Sequence, residues 1–124
     1  QEGVGEYKNA GWLSVHAAWV CDDAGEDFDA FAKNCRKKAV ALFQKVKEKG
    51  ENLYKRAGDD EALMTDLLRR AGEFESALSI CEEGLKKEPE KIVSYILQLE
   101  KALIQNQDVG CYTIPEIKES KSMS

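Results

Sequence analysis

Residues 67–89, LLRRAGEFESALSICEEGLKKEP, constrain this chain more than any other stretch. Apolar positions recur at helical spacing on either side of Ala71-Gly72-Glu73-Phe74. The stretch therefore reads as two amphipathic helices joined by a tight turn. Two short helices cannot bury both apolar stripes on each other alone, so neighbours must stack on them. Chains built this way usually offer surfaces to other proteins and rarely carry out chemistry.

The 124 residues suit one domain, 1–124, with a real core. Apolar residues make up 43% and charged residues 33%, the balance of a helix-rich, surface-charged fold. Only Pro89 and Pro115 interrupt long proline-free spans. A mild net charge of −5 argues against an extended nucleic-acid interface. No apolar run approaches the ~20 residues that span a bilayer. With no signal peptide in view, the chain is expected in the cytoplasm. It begins at Gln1 without an initiator Met, as a fragment or a processed protein would, which leaves open whether residues before it carry function.

The cysteines are Cys21, Cys35, Cys81 and Cys111. No CxxC pair is present, so the zinc-ribbon signal is absent and neither metal nor cofactor is expected. Buried or half-buried thiols are the preferred reading, and a Cys21–Cys35 disulfide would require an exported protein.

Periodicity predicts five helices. Residues 1–6 read as a loose lead-in. The first helix runs from Tyr7 or Asn9 to about Asp22, with Trp12, Val15, His16 and Trp19 on its strongest face and Leu13 and Val20 beside them. Residues 22–27 form an acidic turn in which Asp27 caps the next helix. That helix carries Phe28, Phe31, Ala32, Cys35, Ala39, Leu42, Phe43 and Val46 on one stripe, with Lys33, Arg36 and Lys37 largely elsewhere. A break is expected near Gly50. Asp59 or Asp60 caps the third helix and Gly72 ends it. The fourth buries Phe74, Ala77, Leu78, Cys81 and Leu85, and Pro89 opens a fifth that fades at Asn106. Residues 107–124 read as an extended, mobile tail whose CYTI segment caps the fifth helix. No strand is expected. The fold class is all-α: antiparallel helical hairpins.

Residues 58–91 resemble one tetratricopeptide repeat, a helix-turn-helix unit of about 34 residues. Gly72-Glu73-Phe74 at the turn, then Ala77, Cys81, Gly84 and Pro89, carry the resemblance. Gly84 stands where a small residue lets helices approach. The first half departs from the pattern, with Glu61, Met64 and Thr65 where Trp, Leu and Gly are usual. The fifth helix matches the start of a following unit, with Tyr95 in the aromatic slot. The first two look like an earlier, divergent unit. The resemblance implies a short right-handed solenoid of about five helices. The wider layout resembles the C-terminal part of an uncharacterised bacterial family with an N-terminal cysteine-containing segment, carried by Trp12-Leu13, Ala18-Trp19, Gly25 and the Lys-rich second helix.

His16 lacks the partners of a general base and reads as a packed or edge histidine. Trp12 and Trp19 read first as core and second as an aromatic wall for a peptide. The acidic turn lacks the ligand pattern of an EF-hand. The basic residues of helix two read as a solvated face, with phosphate or acidic-peptide binding as the alternative. A solenoid groove would present Asp66 and Arg69 with Arg70 from helix three, and Ile96 with Glu100 from helix five. Arg69 and Arg70 would pair with acidic groups of a partner and Ile96 would supply apolar area. Asp66 would repel a carboxylate, which argues against a carboxylate clamp.

The chain is thus expected to be a non-enzymatic module that binds a protein or peptide, with no membrane partner and nucleic acid disfavoured. A homodimer is one way to cover the exposed ends of so short a stack. The alternative is the helical part of a zinc-ribbon-containing regulatory or nucleic-acid-associated protein whose metal site lies outside this chain.

Overall fold

In a computed structural model of the protein, residues 3–110 are described. The helices are α1 Val4–Ala24, α2 Asp29–Glu48, α3 Asp59–Arg70, α4 Phe74–Lys86 and α5 Lys91–Gln105, with a 3-10 turn Glu26–Phe28 before α2. The described residues contain no strand, so the fold is all-α. The expected CYTI cap and the polar tail, from Cys111 onward, lie outside the described residues.

The predicted stops hold for a local reason. Gly72 has φ +81°. Its N–H bonds Arg69 O and the Glu73 N–H bonds Leu68 O, both at 2.9 Å. That doubly bonded ending requires a left-handed residue, which glycine adopts without strain. Gly50 closes α2 in the same way.

The starts differ from expectation. The first helix begins at Val4, so Val4, Gly5 and Glu6 of the supposed lead-in are helical. Asp27 lies within the 3-10 turn, and α2 and α3 have no side-chain cap. Asp60 faces backwards instead. It accepts the Leu53 and Tyr54 N–H groups at 2.9 and 2.8 Å and the Lys47 ammonium at 2.7 Å. One carboxylate thereby ties the α2–α3 loop to both flanking helices, and it is 3% exposed.

α1 packs on α2, α3 on α2 and α4, and α5 on both α3 and α4. Asp22 meets Arg36 and Gly11 meets Phe43, so α1 and α2 run antiparallel. The core joins Val15 and Phe43 to Leu67, Ala77, Val93 and Leu97. Two close approaches set the helix spacing. A Cβ on Gly11 would lie 2.4 Å from the Phe43 ring. One on Gly84 would lie 2.8 Å from Glu61 Cβ and 3.0 Å from Leu97 Cδ1.

These approaches turn α1 away from its expected face. Its buried stripe is Val4, Gly11, Ser14, Val15 and Ala18, and Leu13, His16, Trp19 and Val20 are exposed. Small residues win because they let α2 come near. Phe28, in the turn before α2, and Phe31 on α2 are exposed while Arg36 is buried, against expectation. Arg36 lies on the Ala32–Ala39–Phe43 stripe and is neutralised there by Asp22.

Gly84→Ala should lower stability by about 1–3 kcal/mol through overpacking, although alanine favours a helix by about 1 kcal/mol. Gly5→Ala, within α1 and with no neighbour within 4 Å, should instead add about 0.5–1 kcal/mol. Urea unfolding of both variants checks the contrast. By the same assay, Asp60→Ala should lose at least about 2 kcal/mol, since three charge-assisted hydrogen bonds go with it.

Candidate functional site

Helix three places Asp66, Arg69 and Arg70 within one turn and a quarter, and α5 packed against it brings Glu100 to the same place. Arg69 is 1% exposed. Its Nε donates to Glu100 Oε1 at 2.6 Å and its Nη2 to Asp66 Oδ1 at 2.9 Å. Its Nη1 donates to the carbonyls of Asp108 and Gly110 at 2.7 and 2.8 Å. The chain beyond α5 is thus fastened to α3 by one guanidinium.

The pairing continues towards the first hairpin. Arg70 Nη2 lies 2.9 Å from Asp22 Oδ2, and its Nη1 lies 4.0 Å from Asp66 Oδ2. Asp22 also holds Arg36 of α2. One line of charges therefore runs Arg36–Asp22–Arg70–Asp66–Arg69–Glu100, across four helices. Four of the five expected groove residues belong to it. Ile96 sits one turn before Glu100 on α5 and is half-buried. Arg69 and Glu100 lie beneath the surface, so of the expected set Asp66, Arg70 and Ile96 remain accessible.

Electrostatics within the cluster are uneven. Burial pushes the Glu100 carboxyl up to about 8, and the Asp66 carboxylate beside it adds to this against the pull of Arg69. Burial works against the Arg69 charge too, but Glu100 and Asp66 outweigh it and the guanidinium is held more firmly protonated. The asymmetry follows from the geometry, since Arg69 is ringed by acceptors whereas Glu100 shares its one cation with another acid.

No reacting group stands free in this cluster. Cys81 is fully buried and donates to Leu97 O at 3.1 Å. Burial, then the Glu100 charge, pushes its thiol up to about 11, which keeps it protonated and a poor nucleophile. The His16 ring lies 5.1 Å from the Trp19 ring at the surface, tilted by 48°. Trp12 turns inward, 5.1 Å from Phe43 and 6.2 Å from Tyr54, so the two indoles do not form one wall. Among the described residues, no three His, Cys, Asp or Glu side chains are grouped to hold a metal ion, and no helix is long and apolar enough to cross a membrane. A hollow of about 400 Å³ between α2 and α4 is bridged by the Lys37–Glu73 pair at 3.1 Å.

The larger irregularity is apolar. Leu13, Val20 and Phe31 are 71%, 67% and 61% exposed, with Phe28 and Trp19 close to half exposed. All five lie on the first hairpin. Periodicity places them in the core because α1 is apolar around most of its circumference, which hides the side that faces α2. It also misses Arg36 and Asp60 as buried charges. The one signal for Arg36 is its spacing from Ala32, Ala39 and Phe43. Nothing local marks Asp60, whose partners come from a loop.

No family model, curated protein or solved structure matches the chain.

The raised Glu100 carboxyl sets a direction for stability. Between the ordinary 4.5 and about 8, the unfolded chain has released this proton and the folded protein retains it. Stability must therefore fall as pH rises through that window. Relative to Glu100→Gln, the wild-type protein should lose more than about 1 kcal/mol from pH 5 to 8, because each tenfold difference in proton affinity between folded and unfolded chain is worth about 1.4 kcal/mol. Urea unfolding at both pH values checks this, and parallel pH profiles would contradict it.

Proposed function

We propose that the chain is a non-enzymatic protein–protein interaction module built from tetratricopeptide-like hairpins. Several features of the fold support the repeat reading. The α3–α4 hairpin turns at Gly72 and approaches α5 closely at Gly84, and Pro89 precedes α5. α5 packs on α3 and α4 together, as the first helix of a next unit would. The first hairpin leans on α3 through α2.

The observation that carries the functional reading is the bare apolar surface of Leu13, Val20 and Phe31. Burying a side chain of this kind contributes roughly 1.5–3 kcal/mol. A cluster left in water on an otherwise charged surface marks a place where another molecule docks. The charged cluster supports the same reading from the other side. Its guanidiniums bind acids and carbonyls of their own chain, which leaves little with which to polarise or protonate a substrate. Asp66, Arg70 and Ile96 are the accessible remainder of the groove and form a second contact surface in this proposal. A cytoplasmic location belongs to the proposal too, with Cys21, Cys35 and Cys81 as free thiols.

The test is chemical cross-linking of the tagged chain in the cell that makes it, followed by capture and mass spectrometry. A reproducible protein partner, either a different protein or an untagged copy of the chain, is expected above control. Recovery of neither would defeat the reading.

A further inference from the structure

We infer that the uncovered side of the α1–α2 hairpin docks a second copy of this chain, antiparallel across a two-fold axis. This rests on the reading of the chain as an interaction module and names the partner.

The two sides of the hairpin are unlike. On one side α2 carries Val40 and Lys37 towards Leu68 and Glu73 of the second hairpin. On the other side α2 presents Phe31, Cys35, Lys38, Leu42, Lys45 and Lys49, spaced alternately by four and three residues. That spacing keeps the six on one face of the helix, with Phe31, Cys35 and Leu42 as its apolar members. The Lys45 and Lys49 ammoniums lie 5.4 and 6.0 Å from the Tyr7 ring, which fixes this stripe beside the start of α1. On α1, Leu13, Ala17, Val20 and Ala24 follow one another at helical spacing away from the Gly11–Val15–Ala18 stripe. Ala17, Cys21, Cys35 and Leu42 are half-buried between the exposed Leu13, Val20 and Phe31. The result is a shallow apolar valley with apolar rims.

Charge selects the occupant. The tip of the hairpin, residues 22–29, holds Asp23, Glu26, Asp27 and Asp29 beside the Asp22 that pairs with Arg36 and Arg70, and no base. The far end of α2 holds Lys45 and Lys49 on this side, while Lys47 is engaged by Asp60 on the other. A surface that is acidic at one end, basic at the other and apolar between complements itself when turned end for end. A two-fold axis lying across the hairpin level with Ala17 sets α1 on α1 and α2 on α2. Leu13 of one copy then meets Val20 of the other, and Phe31 receives Lys49, a cation over a ring as Tyr7 already receives it. Each acidic tip comes to rest beside the partner's lysines.

The size is sufficient. A helix of 21 residues is about 30 Å long. Two such helices side by side offer about 600 Å² per copy, hence about 1,200 Å² in all, the lower end of stable interfaces.

Sedimentation velocity on the full chain should show a species of twice 13.9 kDa in reversible equilibrium with monomer. Val20→Asp and Phe31→Asp, at exposed positions, should each weaken association at least about ten-fold while helical circular dichroism is unchanged. Ile92→Asp on α5 should leave association unaltered. The pair Lys45→Glu and Lys49→Glu should weaken association, and Glu26→Lys with Asp27→Lys in the same chain should restore it. A dimer indifferent to Val20→Asp and Phe31→Asp, or a charge reversal that is not rescued, overturns the inference. A monomer up to roughly 100 μM, where an interface of this area is populated, overturns it too. If that monomer still captures another protein in cells, the interaction reading stands without self-association. If it captures nothing, both fall.

Discussion

A guanidinium taken out of water must be neutralised and given acceptors, and Arg69 meets that demand from three separate parts of the chain. Asp66 comes from its own helix, Glu100 from α5, and the carbonyls of Asp108 and Gly110 from beyond α5. A buried ion pair adds little net stability over well-packed apolar side chains, yet losing one partner is costly. Any packing that slides α5 along α3 by a turn separates Arg69 from Glu100 and leaves a bare charge in the interior. The cluster therefore selects one register among those that hydrophobic burial alone would permit. Arg70 and Asp22 extend the same constraint to the first hairpin, and Arg36 closes it on α2.

Close contact is the complement of that charge line. Gly11 admits the Phe43 ring and Gly84 admits Glu61 and Leu97, so neither pair of helices has room for another methyl group. Interfaces made this way place small residues inside. Large apolar residues on the same helices must then point elsewhere, which is why Leu13, Val20 and Phe31 stand in water. The exposed surface of the first hairpin and its tight interior share one origin.

The helices and their ends are readable in the sequence because they depend on neighbours in the chain. Gly72 and Gly50 terminate helices through bonds that span a few residues, and periodicity around Ala77, Cys81 and Val93 survives into the structure, whereas the burial of Leu97 and Ile104 on α5 is unexpected. The candidate groove is partly readable for the same reason, since Asp66, Arg69 and Arg70 share one helix. Burial of Arg69 and Glu100 is not, because it depends on how α5 lies against α3. Asp60 escapes as a supposed cap for an equivalent reason: an acid at a helix start satisfies whichever N–H groups lie nearest, and here a loop brings its own. In α1, hydrophobicity on nearly all sides removes the contrast from which facing is inferred, so periodicity wrongly turns Trp19 and His16 inward.

The described helices leave two ends, α5 and the first hairpin, and these differ. At α5 the following residues return to α3, where Arg69 holds their carbonyls, so that end is tied to the body by the chain itself. At the first hairpin no described element covers the side that faces away from α3. The bare side is also the one on which an acidic tip, an apolar middle and a basic base succeed one another along some 30 Å of helix. An unordered apolar patch would accept many partners weakly, whereas this sequence of charges favours one orientation and opposes the parallel one, in which tip meets tip. In the proposed dimer, specificity at this surface comes from the order of its charges, and affinity from the exposed Leu13, Val20 and Phe31.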